Sequence, residues 1–233
     1  MKRSLLALSI ALLSSNAIAN DAINFDYVGA GYGKFKIDGS STHVSFNGFA
    51  IEASKKISDD WVISAQYLDT SRDHSRSSEY YSQGAEFALE SNQEFDISQW
   101  NLGAAYVINL EENSVLELAA HIGRLEADTT IVSRHTVQDS SPFNVEADRS
   151  TVYESKAHTT TYGFNINYHY AFSDFFTAEA GIGYEHNDEA AQENEFVYQL
   201  GLNYNITPDF TVSALYRNVD AYENHQVTLR YNF

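Results

Sequence analysis

The chain has no cysteine and only two prolines, Pro142 and Pro208, in 233 residues. The absence of cysteine excludes a disulfide framework and a lipid-anchored cysteine at a cleavage site. Both prolines fall in segments that read as connections, so the periodic runs between them are uninterrupted. Basic residues are scarce: 14 Lys and Arg face 32 Asp and Glu, a formal net charge of −18. That balance excludes nucleic-acid binding, which needs clustered cations to neutralise phosphates. Long apolar runs are also missing. No segment approaches the roughly 20 apolar residues that a membrane-spanning helix requires.

The N-terminus reads as an export signal. Lys2 and Arg3 form a positive start, residues 5–13 an apolar stretch, and Ala17-Ile18-Ala19 a small-x-small cleavage site. The expected organisation is a cleaved signal over residues 1–19 and one domain over residues 20–233. Removing two of the 14 basic residues leaves 12 against 32 acids, so −20 for the mature chain.

Aromatic residues are abundant, 16 Tyr and 14 Phe. They fall on period-2 patterns throughout the mature chain. Tyr162, Phe164, Ile166, Tyr168 and Tyr170 alternate with Thr161, Gly163, Asn165, Asn167 and His169. Trp100/Leu102/Ala104/Tyr106 and Leu116/Leu118/Ala120/Ile122 repeat the pattern, and four further runs follow. With earlier runs at residues 23–37, 44–54 and 61–69, the count is ten strands, with eight as the alternative. Tight turns such as Ser173-Asp174 and Thr207-Pro208-Asp209 alternate with longer connections, the longest being residues 71–94 and 128–157. Within the second of these, Ile131–Val137 and 151–156 keep β alternation around a turn-like tip, which predicts a hairpin continuing the wall outward. Short turns on one side and long loops on the other predict an all-β, antiparallel, up-and-down transmembrane barrel with its tight end periplasmic.

The chain ends in Leu229-x-Tyr231-x-Phe233. With the export signal and the strand-turn-loop rhythm, this resembles the small outer-membrane β-barrel families of Gram-negative bacteria, the OmpX/Ail, OmpW and OmpA-barrel group. The resemblance implies residence in the cell outer membrane, among lipid and lipopolysaccharide. It also implies a last strand read by the barrel-assembly machinery as polar-x-Gly-x-x-aromatic-x-aromatic. Gln226, Tyr231 and Phe233 match that motif, Leu229 keeps its apolar alternation, and Thr228 stands where glycine is usual. Ten strands depart from the eight of OmpX-like members.

If the aromatic faces meet lipid, the opposite parity lines the interior. That places Glu52, Glu117, His121, Glu179, Glu185, Arg217 and Arg230 in the lumen as a charge network or pore lining, together with Lys34 on the glycine-rich first strand. Buried charges must pair or stay hydrated, and a barrel this narrow excludes a wide porin channel. Arg124, at the outer end of its strand, is placed to meet lipopolysaccharide phosphates. The expected role is structural and surface-interacting, through the long outer loops, with an extracellular ligand or host surface as partner. The alternative is a narrow cation-preferring pore. A second alternative, a lipid A-modifying enzyme, would rest on His43-Val44-Ser45 with Glu52 as a base and nucleophile set. No cofactor and no metal is expected.

Overall fold

The computed structural model describes residues 23–38, 43–82, 85–139, 146–188, 194–220 and 222–233. The expected signal peptide lies outside them. Ten strands follow one another: β1 (Tyr27–Asp38), β2 (His43–Lys56), β3 (Trp61–Ser82), β4 (Ala85–Glu111), β5 (Ser114–Asp139), β6 (Glu146–Ser173), β7 (Phe176–Asn187), β8 (Asn194–Thr207), β9 (Phe210–Val219) and β10 (Tyr222–Asn232). Each pairs antiparallel with its chain neighbours, and β1 pairs with β10 to close the ring. Closure satisfies every ladder within the band, the condition for crossing hydrocarbon with strands. No described helix is long and apolar enough to cross a membrane.

Alternation sorts the side chains. Outward positions carry exposed apolar residues, among them Leu102, Phe164, Ile182, Leu200, Leu202 and Leu229. Aromatics border that band. Trp61 meets Tyr106 edge-on at 5.4 Å and Phe210 meets Tyr231 at 5.5 Å near the tight turns, while Tyr198 meets Tyr216 at 5.9 Å near the other end. Such aromatic girdles mark the two membrane interfaces.

The outward end of the lumen is packed, not open. Phe35, Phe46, Ala50, Leu68, Ile97, Val197, Val219 and Tyr222 form one buried cluster, with Phe35 stacked on Tyr222 at 4.9 Å. A smaller cluster of Val62, Ala105, Val107 and Val115 occupies the turn end, where Ile23 and Phe25 from the segment before β1 pack against it.

Above the barrel mouth, among the described residues, four strands continue alone. β2 pairs with β3 only up to Asn47↔Ser71, and β7 with β6 only up to Thr161↔Asn187. Beyond those points β3, β4, β5 and β6 stay mutually paired as far as Ser82↔Ala85 and Gln138↔Glu146. The expected hairpin within residues 128–157 is present, its tip lying outside the described residues. Within residues 71–94, expected as a loop, 71–82 and 85–94 are strand. In solvent a strand needs no apolar face, so this stretch lost the period-2 contrast that reveals strands in lipid.

This projecting sheet is segregated by charge. Its outer face, continuous with the lipid-facing side, carries Asp73, Glu79, Glu86, Glu90, Glu94, Asp96, Glu126, Asp128, Asp148 and Glu154, against Arg134 and Lys156. Its inner face, continuous with the lumen, carries Arg72, His74, Arg76, His135 and Arg149, and no carboxylate among the described side chains. Crowding on the outer face has a titration consequence: partial burial together with Asp69, Asp128 and Asp73 raises the Asp96 carboxyl.

The hairpin also holds a two-bond clamp. Arg134 donates through Nε and Nη2 to Asp148 at 3.0 and 2.6 Å. That hydrogen bonding holds the Asp148 carboxyl below its usual range. A depressed folded pKa stabilises above the unfolded value, about pH 4, and the contribution is lost as pH falls through the depressed value. Amide exchange at residues 148–151, corrected for intrinsic rates, should therefore speed up across that window. Asp148→Asn should show the faster exchange already at neutral pH. Unchanged exchange in both would mean the clamp adds nothing to the hairpin.

Candidate functional site

The lumen holds its charges in two tiers. The upper tier, beneath the apolar cluster, centres on Glu185, which is fully buried. Arg217 Nη2 donates to Glu185 Oε2 at 2.7 Å, the Tyr222 hydroxyl donates to Oε1 at 2.7 Å, and His121 Nε2 lies 3.2 Å from Oε2. Gln99 Nε2 donates to the Tyr222 hydroxyl at 3.1 Å and Asn224 Nδ2 to Gln99 at 2.8 Å, extending the network across the barrel. Each acceptor of the buried carboxylate is thus engaged, the condition under which a buried ion pair is tolerated.

The lower tier has two parts. Arg230 grips Glu52 with Nε and Nη2 at 2.8 and 2.9 Å, donates Nη1 to Asn203 at 3.0 Å, and lies over the Tyr27 ring at 4.1 Å. The Thr228 hydroxyl donates to the same Glu52 oxygen. Beside them His169 bridges two glutamates, with Nε2 2.7 Å from Glu117 and Nδ1 3.6 Å from Glu179. The Phe25 ring meets the His169 imidazole edge-on at 5.5 Å.

Glycines on neighbouring strands make room for these groups. A Cβ on Gly29 would lie 3.0 Å from both Arg230 and Glu52, which sit opposite it on β10 and β2. A Cβ on Gly163 would collide with the His121 ring, its cross-strand partner. The large polar side chains lie flat over positions that lack one, which lets a narrow lumen contain them.

A cavity of about 210 Å³ lies in the turn-end part of the lumen, lined by Glu52, Glu117, His121, His169, Glu179, Arg217 and Arg230, with Ile23 and Phe25 on its rim. Asn165 and Asn167 also line it, and each has a buried side-chain oxygen without a protein partner. The space is polar enough to hold water. No group of three or more His, Cys, Asp or Glu suited to a metal occurs among the described residues.

All seven lumen charges expected from parity face inward, and the structure joins them into the two tiers. Lys34 does not join them. It shares the side of Val28 and Tyr32, both exposed, and is paired in register with outward-facing His225. Sequence reasoning passed over His169, whose place on the polar face of its run was visible. Glu195, the second residue of β8, is buried, and its inward position was not read from the sequence. Tyr27 and Tyr222 gave no signal, since tyrosines elsewhere in the chain face lipid. Of the terminal residues, Gln226 faces inward and accepts from Gln66 at 3.0 Å. Leu229 and Tyr231 face outward, and Phe233 lies 6.5 Å from the Tyr231 ring with Lys55 4.7 Å above it.

The catalytic alternative loses its geometry. Ser45 and Glu52 stand on opposite faces of β2, and Glu52 is already bound to Arg230. Arg124, expected at lipopolysaccharide phosphates, lies 2.6 Å from Glu126.

Residues 122–233 match the family described as outer membrane protein beta-barrel domain. No curated protein sequence matches the chain. Among solved structures, the chain is similar to the attachment invasion locus protein Ail of Yersinia pestis at 14% identity, covering 89% of this chain and 97% of that one, with a TM-score of 0.41. It is also similar to the outer membrane protease OmpT of Escherichia coli at 12% identity, over 92% and 100% of the two chains, with a TM-score of 0.49. Neisserial surface protein A follows at 15%, over 89% and 96%, with a TM-score of 0.33. The family match over the second half, and a ring of ten strands with an apolar exterior, make this chain an outer-membrane β-barrel protein, resident in the bacterial outer membrane.

Proposed function

We propose that this protein is a non-catalytic surface-interaction barrel, anchored by a filled lumen and working through the four-stranded sheet above it. The observation that carries the reading is the contrast between the two parts. The lumen is occupied by the Phe35–Tyr222 cluster and the Glu185 network, whereas β3 to β6 project into solvent with an edge on each side that pairs with no described strand. A projecting sheet of this kind serves no need of the membrane span, and exposed strand edges are recognition elements. Lipid and lipopolysaccharide surround the barrel. Lys34 and His225, side by side on the outer wall above Tyr32, are suited to lipopolysaccharide phosphates.

The test removes the sheet and keeps the barrel. Deleting residues 73–93 and 129–155, each replaced by a short glycine-serine turn, should leave a heat-modifiable, membrane-inserted barrel. Attachment of cells to host surfaces or ligand-coated plates should fall to the level of cells lacking the protein. Attachment undiminished by the deletion would overturn the reading. A second reading, a narrow cation path, draws support from the excess of Glu52, Glu117, Glu179, Glu185 and Glu195 over Arg217 and Arg230 in the lumen.

A further inference from the structure

We propose that the β3 edge of the projecting sheet accepts an extended acidic polypeptide segment as an added strand, selected by a ladder of cations on the inner face. The inference rests on the surface-binding reading above and names the partner's chemistry. Three observations carry it.

First, residues 72–82 pair with β4 on one side and with no described strand on the other. Their outward N–H and C=O groups form the template that an extended peptide uses when it extends a sheet. Second, Arg72, His74 and Arg76 occupy alternate positions of this same edge strand, so they share the inner face about 7 Å apart along it. None of the three has an ion pair or side-chain hydrogen bond among the described residues, in a chain with 32 acidic residues. Third, the inner face across β4 and β5 adds His135 and apolar Leu89 and Ile131, and no carboxylate among the described side chains. An added strand places every second side chain directly beside the cation ladder, where opposite charges are favourable. Its other side chains fall beside Asp73 and Glu79 on the acidic face, which admits neutral or basic residues only.

The same ladder selects against a second copy of this chain. Antiparallel pairing of two β3 edges would set arginine beside arginine, the like-charge contact that keeps exposed edges apart. The β6 edge carries only Arg149 on its inner face and lacks the alternation.

The experiment uses the refolded full-length mature barrel in lipid nanodiscs. The probes are fluorescent peptides of about 12 residues, long enough for one strand, alternating glutamate with threonine or lysine with threonine. The wild type should bind the glutamate peptide, and amides of residues 72–82 should gain exchange protection while residues 148–159 do not. Arg72→Glu with Arg76→Glu, the first half-buried and the second exposed, both outside the span, should weaken that binding by about tenfold or more and favour the lysine peptide. Equal binding of both peptides overturns the proposal, as does protection on β6. Displacement by a sulfated oligosaccharide without protection of β3 overturns it too, pointing to a glycan instead. If the deletion in the preceding section abolishes attachment but neither peptide binds, surface interaction stands and this assignment of partner falls.

Discussion

Arg217→Met should lower the stability of the barrel by about 3–5 kcal/mol, the cost of leaving a buried charge without its partner. Glu185 has no exposure, and Arg217 is its closest cation at 2.7 Å. Without the guanidinium, the carboxylate keeps only the Tyr222 hydroxyl and His121. Removing both charges at once is a different perturbation. Glu185→Gln with Arg217→Met leaves two neutral groups of similar volume and should recover most of the loss, because two desolvated charges disappear together. Urea unfolding from lipid vesicles, followed by the fluorescence of Trp61 and Trp100, measures both. A loss below about 1 kcal/mol for the single variant, the worth of an exposed pair, would mean that water reaches Glu185 and the upper lumen is open.

The wild-type barrel in a planar bilayer should carry no steady current, and Phe35→Ala with Leu68→Ala should produce one. Phe35 and Leu68 are each 1% exposed and sit in the cluster that fills the lumen beneath the projecting sheet. Truncating both leaves a void that its neighbours close only in part. That void lies over the Glu185 tier, with the cavity of about 210 Å³ below. Current through the variant should be cation-selective under a salt gradient, because lumen glutamates outnumber arginines. Steady wild-type current would overturn the filled-lumen reading and promote the cation path. Silence in both would place a second block at Ile23 and Phe25.

The transmembrane part of this fold was legible because lipid enforces a strict contrast. Each outward position must be apolar and each inward one can be polar, so parity alone placed Glu52, Glu117, His121, Glu179, Glu185, Arg217 and Arg230. Where that contrast lapses, so does legibility. β1 carries Gly29, Gly31 and Gly33 inward, and the resulting weak pattern allowed Lys34 to be assigned to the wrong face. Residues 72–82 and 85–94 lie above the barrel mouth, and charge rather than apolarity divides their two faces. Tyr222 illustrates another limit: nothing local distinguishes a tyrosine that donates to a buried glutamate from one that borders lipid. Pairings such as Arg217 with Glu185, 32 positions apart, follow from closure and strand stagger, which one sequence does not display.

The Glu52–Arg230 clamp spans the place where the two ends of the sheet meet. Glu52 on β2 reaches across Gly29 of β1 to hold Arg230 and Thr228 of β10, 178 and 176 positions away in the chain. It can form only after the last strand has arrived, and only in one register. A slip of one residue at closure would turn Arg230 toward lipid at the level of the Tyr231 girdle, at a cost of up to about 1 kcal/mol near the interface, and strand Glu52 without its cation. The clamp therefore acts as a proofreading latch on ring closure: a correctly seated final strand is locked, and a misaligned one stays free to leave and try again.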